Sequence, residues 1–334
     1  MSKVSNIPAG KSWQSVITKY NRPNLSKSTW QLINSVGGYL ALWVLMVFTM
    51  KISFWLTLPL IFLAAGFLIR VFIIFHDCGH GSFFTSKKMN VIVGKVCGIL
   101  AFTPYHRWTD NHRSHHKTVG NLDKRGDGDV WTLTVKEYQE RTAWQKFTYR
   151  LFRHPLFLIL IGGPVSFLVL NRFTNHRMTK KQKNNIYFTN LILLLLTAGI
   201  SLLIGWQVFL LIQVPILSIA AMGGIYLFYL QHQYDDVIWR RNEDWDYQEL
   251  ALHGSSFFKL PAVLRWFTGN IGFHHVHHLG PTIPNYNLVK CHEENPLFHE
   301  VEPITLFKSF HSLKLRLWDE DRQRIVSFRE LKAS

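Results

Sequence analysis

The chain has 334 residues, with 37 Lys and Arg against 21 Asp and Glu, a formal charge of +16 and 48% apolar residues. Its 25 Phe, 12 Trp and 11 Tyr exclude a disordered polyelectrolyte, because so much aromatic surface does not stay solvated. Three Cys exclude a disulfide-stapled secreted scaffold.

In chain order, residues 1–27 are polar and basic and lack the apolar core and cleavage site of a signal peptide. Ser28 to Met50 then carries no formal charge, and neither does Ile52 to Ile69. After Arg70 the apolar run continues to Phe75. Further on, Asn184 to Tyr234 is also free of Asp, Glu, Lys and Arg. A bilayer core needs roughly 20 apolar helical residues. The pattern therefore predicts four spans, at about 30–50, 54–75, 186–204 and 207–231, with a tight turn near Gly205 and Trp206. Two shorter apolar pieces, 91–104 and 155–171, are too short or too broken by Gly and Pro to settle by length.

The charges fall between the spans. Residues 1–27, 76–183 and 233–334 hold 35 of the 37 basic residues and all 21 acidic ones. The positive-inside rule places these three parts in the cytoplasm, so both termini are expected there. The predicted fold class is an all-α integral membrane protein, read as one domain over 1–334. Four transmembrane helices carry a cytoplasmic helical cap made from 76–183 and 233–334. Cys78, Cys97 and Cys291 are expected as free thiols on the reducing side.

The 17 His carry the chemistry. His76-Asp77-Cys78-Gly79-His80 places two imidazoles at i and i+4. His112-Arg113-Ser114-His115-His116 gives i, i+3 and i+4, and His274-His275-Val276-His277-His278 repeats that pattern with one extra His. On a helix these offsets share a face. At about 100° per residue, His274, His278 and His277 group together, and His275 lies at the edge of their arc. His232 is the only histidine, acid or base between Lys183 and Asp235, and it sits where the fourth span meets the cap. His106, His154, His176, His253, His292, His299 and His311 lack such spacing and are read as surface or interfacial. A zinc site takes three or four protein ligands, so eight or nine imidazoles exceed what one metal can use and imply two. Imidazole suits Zn, Cu, Fe and Ni alike. Ligating imidazoles need acceptors that fix their tautomers, and Asp77, Asp110, Asp235, Asp236 and Asn270 are the candidates by adjacency.

The boxes HDCGH, HRSHH and HHVHH resemble those of the membrane fatty acid desaturase family. The flanks FIIFHDCGHGSFF, NLDKRGDGDVW, FYLQHQYDD, GSSFFKLP, GNIGFHHVHHLGPTIPNYNL and RLWDEDRQ look like those of bacterial acyl-lipid desaturases of the Δ5 phospholipid type. The resemblance runs from about residue 30 to 330. It implies a non-haem di-iron centre that uses O2 to take two hydrogens from neighbouring methylenes of a saturated acyl chain, leaving a cis double bond and water. It carries the ligand role to His76, His80, His112, His115, His116, His232, His274, His277 and His278, and leaves out His275. It also implies phospholipid acyl chains as substrate, with Δ10 as the second position, and a plasma-membrane location.

With a shared site, 91–104 and 155–171 cannot cross the bilayer and are expected to be interfacial or re-entrant. No GxGxxG follows a strand and no HPGG occurs, so electrons must come from a separate carrier. The basic cytoplasmic side suits an acidic ferredoxin or flavodoxin, or anionic lipid headgroups. No nucleic-acid partner is expected. The competing readings are a membrane hydroxylase or alkane monooxygenase, an acyl-CoA desaturase, and a non-catalytic metal sensor or transporter.

Overall fold

The computed structural model describes residues 13–125 and 129–332. Four helices are long and apolar enough to cross a membrane: Leu25–Met50, Phe54–His80, Lys180–Ile204 and Trp206–His232. Each contains one of the apolar stretches read from the sequence. The second, third and fourth extend beyond those stretches into the cap, so their terminal turns belong to both layers.

The ends of these helices follow from local chemistry. The Asn24 side chain accepts from the Lys27 amide and starts the first span. Ser53 caps the second in the same way, through the Trp55 amide. Thr179 and Gln182 form a reciprocal capping box at the third. Gly81, at φ 72°, closes the second span immediately after His80. Gly205, at φ 88°, makes the whole turn between the third and fourth spans. A side chain is strained at both positions.

Leu202 and Leu203 are 88% and 85% exposed. A protein surrounded by water would not leave so much leucine uncovered, and lipid is the solvent that suits it. Arg70 is the one formal charge in the apolar part of the second span, residues 54–75, and it is not left bare. Its Nε donates to Ser35 Oγ at 3.1 Å, beside a π-helical turn over Ile33–Gly37 in the first span. Its Nη1 donates to the Trp266 carbonyl, and the guanidinium lies 4.0 Å from the Trp266 ring centroid.

Lys87–Leu100 packs antiparallel against the second span, with Gly94 against Cys78 and Gly98 against Phe75. The chain reverses at Ala101–Pro104, and Tyr105–Thr118 climbs back, with the Tyr105 hydroxyl donating to the Cys78 carbonyl at 2.8 Å. This hairpin enters and leaves from the end that carries His80.

The second short apolar piece behaves alike. Ala143–Phe152 and Phe157–Arg172 form a pair bent by 70°. At the near end, Arg153 donates to the Gln233 side chain, one residue beyond the fourth span. In the middle, Gly163 lies against the Ala221 carbonyl and Ile225 of that span. At the far end, Arg107 of the Tyr105–Thr118 helix donates to the Leu170 carbonyl at 3.1 Å. The segment thus dips along the fourth span and returns to the end it left.

Two small sheets tie the cap together. Leu133–Thr134 pairs in parallel with Leu317–Asp319, which pairs antiparallel with Arg324–Val326. Phe257–Lys259 pairs in parallel with Pro303–Thr305, and the Phe258 amide donates to the Gly272 carbonyl just ahead of the third histidine box. Cys78, Cys97 and Cys291 are buried free thiols.

Candidate metal centre

The last turn of the second span aims His76 and His80 into the cap, four residues apart on one face. The Tyr105–Thr118 helix runs alongside and presents His112, His115 and His116. The six-residue helix His274–Leu279 supplies His274, His277 and His278, and the fourth span ends on His232.

These side chains form two sets. His76, His80, His112, His116 and His277 make one, and His115, His232, His274 and His278 the other; within each set the candidate ligand atoms lie within 4.8 Å of one another. All nine residues singled out by spacing and resemblance are therefore brought together. The sets are neighbours, with the His116 and His278 rings stacked at 4.0 Å. The helices bearing the second and third boxes contribute to both.

In both sets the Nε2 atoms face inward. His112 Nε2 lies 3.0 Å from His76 Nε2 and 3.1 Å from His116 Nε2. His232 Nε2 lies 3.0 Å from both His115 Nε2 and His274 Nε2, and His278 Nε2 is 3.0 Å from His274 Nε2. His80 Nε2 is buried with no hydrogen-bond partner. Neutral imidazoles have one N–H each, so such inward-facing nitrogen clusters cannot all be satisfied by one another. A metal ion satisfies them together. With a metal–imidazole bond of about 2.1 Å, ligands at right angles lie about 3.0 Å apart, and tetrahedral ones about 3.4 Å. The shortest separations in each set are of the size that two imidazoles sharing one ion require, and the donor set alone does not choose the metal. The residues therefore fit a pair of metal ions.

Burial supports the same reading. In the cap, His112, His116, His274, His277 and His278 are pushed well below the ordinary imidazole pKa, first by burial and then by neighbouring histidines. They are neutral at physiological pH, which is the ligating form.

Among the described residues, three of the nine rings have an acceptor behind Nδ1. His76 Nδ1 faces Asp77 Oδ1 at 3.2 Å, and Asp77 Oδ2 accepts from the Asn285 amide and side chain at 2.7 and 2.8 Å. His115 Nδ1 faces Asp129 Oδ1 at 2.5 Å. His232 Nδ1 faces the Gly254 carbonyl at 3.0 Å. Asp129 and Gly254 were not foreseen. Asp129 lies in the acidic, glycine-containing motif after the second box, and that was the available signal; a backbone carbonyl gives none.

The other candidate acceptors do not reach any of the nine converging imidazoles. Asp110 accepts from Gln182 at 3.0 Å and pairs with Arg113 at 3.4 Å. It sits about 200° around the helix from His112 and faces the third span instead. Asp235 is exposed and pairs with His311, and Asp236 is exposed, because the chain turns outward after Gln233. Asn270, at φ 58°, donates to the Asn285 carbonyl at 3.1 Å. It touches the centre only through Asn285 and Asp77. His275 turns away from both sets. Its Nε2 lies 3.1 Å from His292 Nδ1, and its ring packs on Phe257 and Phe298.

Four spans capped by nine converging imidazoles define a polytopic membrane protein with a histidine cluster suited to two metal ions. The chain belongs to the fatty acid desaturase family, whose sequence model, "Fatty acid desaturase", matches residues 53–304. It is 46% identical over 316 residues to a "Fatty acid desaturase" of Bacillus subtilis (strain 168), covering 95% of this chain and 90% of that protein. It is 27% identical over 308 residues to an "sn-1 acyl-lipid omega-3 desaturase (ferredoxin)" of Nostoc sp. (strain 36), covering 89% and 80%. An "Omega-3 fatty acid desaturase, endoplasmic reticulum" of Vigna radiata var. radiata is 31% identical over 263 residues, covering 71% and 64%. The protein is thus an oxidoreductase of the desaturase class.

Proposed function

We propose that this protein is an O2-dependent acyl-lipid desaturase that introduces a cis double bond into saturated acyl chains of membrane phospholipids. The observation that carries the reading is the convergence of nine imidazoles into two sets, within each of which the candidate ligand atoms lie within 4.8 Å of one another, the shortest Nε2 pairs at 3.0–3.1 Å. His76, His80, His112, His116 and His277 would hold one iron, and His115, His232, His274 and His278 the other. When bound, the irons would supply O2 activation for taking one hydrogen from each of two neighbouring methylenes.

The chain's own part is positioning and exclusion. Asp77, Asp129 and the Gly254 carbonyl each hold an Nδ1 proton, so that the Nε2 of His76, His115 and His232 stays free to ligate. Phe72, Phe75 and Trp108 pack in mutual contact beside His76 and His112 and keep that wall of the centre apolar. Both His76 and His232 end spans, so the centre sits just beyond the membrane surface. A phospholipid ester lies at that depth, and an early methylene reaches it with little displacement. This layout agrees with Δ5, the position the flanking motifs suggest.

The name of the Nostoc relative carries ferredoxin. A ferredoxin or flavodoxin docking on the basic cytoplasmic cap is the proposed donor here. The proposed setting is the plasma membrane, with both termini cytoplasmic and the chain acting as one domain.

The test is a pulse of isotope-labelled saturated phospholipid in host cells expressing the chain, with fatty acid synthesis blocked. Gas chromatography–mass spectrometry should find the label in a mono-unsaturated chain on the same lipid, with the bond at Δ5. Desaturation that stops with synthesis, together with purified enzyme that accepts only acyl-CoA or acyl carrier protein, would overturn the acyl-lipid assignment. A hydroxylated product would overturn the reaction.

A further inference from the structure

A cleft of about 530 Å³ lies away from the histidine centre, between the Ala143–Phe152 helix and the C-terminal segment. Arg150, His154, His311, Lys314, Arg316 and Arg329 line it. Glu330 is the acidic residue of the lining, and it is already engaged by Arg324 at 2.6 Å and by the Ser327 amide at 2.9 Å. His311 faces Asp235 at 3.2 Å on the outer side.

Behind the cleft wall, Arg316 of the lining shares a carbonyl with a second guanidinium, Arg153, which does not itself line the cleft. Arg316 and the fully buried Arg153 both donate to the Leu315 carbonyl, at 2.8 and 3.2 Å. Arg153 has a second partner in the Gln233 side chain, but its Nε and Nη1 are buried without any. Arg316 also donates to the Tyr229 hydroxyl at 3.0 Å. Neither guanidinium has a carboxylate partner among the described residues. Two buried like charges on one carbonyl are costly unless an anion joins them.

The surroundings identify the anion's source. Trp144, Phe147 and Leu151 share one face of the Ala143–Phe152 helix and are exposed. Phe307 and Phe310 are exposed on the Leu306–Ser312 helix, Phe307 at 87%. Ser309 of that helix bonds the Tyr226 hydroxyl at 2.6 Å. Tyr226 lies six residues, about 9 Å, membrane-ward of His232 along the fourth span. The Leu306–Ser312 helix therefore sits at interface depth, and the Ala143–Phe152 helix ends beside Arg153, which bonds Gln233 one residue beyond the fourth span; both turn aromatic side chains out. An acidic protein partner has no use for aromatics at that depth, whereas a bilayer does.

We infer that this cleft seats the phosphate of a membrane phospholipid headgroup, held by Arg316, Lys314 and Arg329 while Trp144, Phe147, Phe307 and Phe310 lie among the acyl chains. The site is separate from the metal centre and stands whether or not the substrate is a phospholipid. It clamps the C-terminal segment and the start of the dipping segment onto the same leaflet.

The experiment uses the full chain purified in detergent and native mass spectrometry. The probes are phosphatidylglycerol, the diacylglycerol of the same chains, and inorganic phosphate. Wild-type protein should retain phosphatidylglycerol at least tenfold better than diacylglycerol, and millimolar phosphate should not displace it. The double variant Lys314→Gln/Arg329→Gln changes two exposed rim residues, so metal content and melting temperature should match wild type. Its phosphatidylglycerol retention should fall about tenfold. Unchanged retention in the variant overturns the site. Complete displacement by inorganic phosphate makes it a free-anion site and overturns the lipid assignment. Normal lipid retention with lost affinity for an acidic ferredoxin would make it a protein-docking surface, which also overturns it.

Discussion

Asp129 Oδ1 sits 2.5 Å from His115 Nδ1, and the opposite nitrogen of that ring is 3.0 Å from His232 Nε2. A carboxylate from the loop thereby fixes the tautomer and angle of an imidazole in the four-histidine set. Removing such an acceptor typically costs 10–100-fold in metal affinity. Asp129→Ala should lower the affinity of one of two metals by about that factor, and Asp129→Asn, which keeps an acceptor oxygen, by less. Metal-to-protein ratios after dialysis against graded chelator would show it. Equal metal retention in wild type and Asp129→Ala would refute the positioning role.

His232 and His275 make a matched pair of tests. His232 belongs to the four-histidine set and His275 faces His292. Wild-type protein from iron-replete cells should carry close to two metals. His232→Ala should lose one of them and with it desaturation. His275→Ala should keep both and much of its activity, while melting lower, because it empties a fully buried site at a cost of about 2 kcal/mol or more. Elemental analysis and a thermal melt on the same samples separate the two effects. Loss of a metal from His275→Ala would mean the third box is oriented differently.

The buried cap imidazoles set an acid limit. His112, His116, His274, His277 and His278 have folded pKa values below their ordinary one, chiefly through burial. The unfolded chain therefore binds more protons than the folded one once pH drops below about 6.5. Their stability contribution is fully present above that pH and is lost as pH falls toward the folded values. Protons also compete with metal for the same nitrogens. Melting temperature and metal content should hold between pH 7 and 8 and decline together below about 6.5. A flat profile down to pH 5 would contradict this.

How much of this was written in the sequence differs by element. The spans were legible because a 51-residue stretch without charge has few other uses. The histidine set was legible because i, i+3 and i+4 offsets place side chains on one face before any tertiary contact is known. What surrounds the ligands was not. Two residues along a helix are a turn of about 200°, which is why Asp110, close to His112 in sequence, faces Gln182. Asp77 is the exception, because its carboxylate reaches back to His76 while Asn285 holds it from the other side. Asp129 and Gly254 reach the centre through loop paths that no period encodes. The charge at Arg70 likewise gave no hint that Trp266 and a π-helical turn would absorb it.

The last prediction concerns the dipping segment. Phe157–Arg172, even as a straight helix, would span about 24 Å, short of a bilayer core of about 30 Å. Its two ends are held by Arg153 on Gln233, next to His232, and by Arg107, which shares a helix with His112. A crossing would put His232 and the third box on the face opposite His112, and the two sets could not form. A topology reporter fused after Asn171 should therefore report the cytoplasm, as should one after Asp236. Reporters inserted at Lys51 and Gly205, the two tight turns between paired spans, should report the outside. An external signal at Asn171 would mean that the segment crosses, and would overturn the shared histidine centre with it.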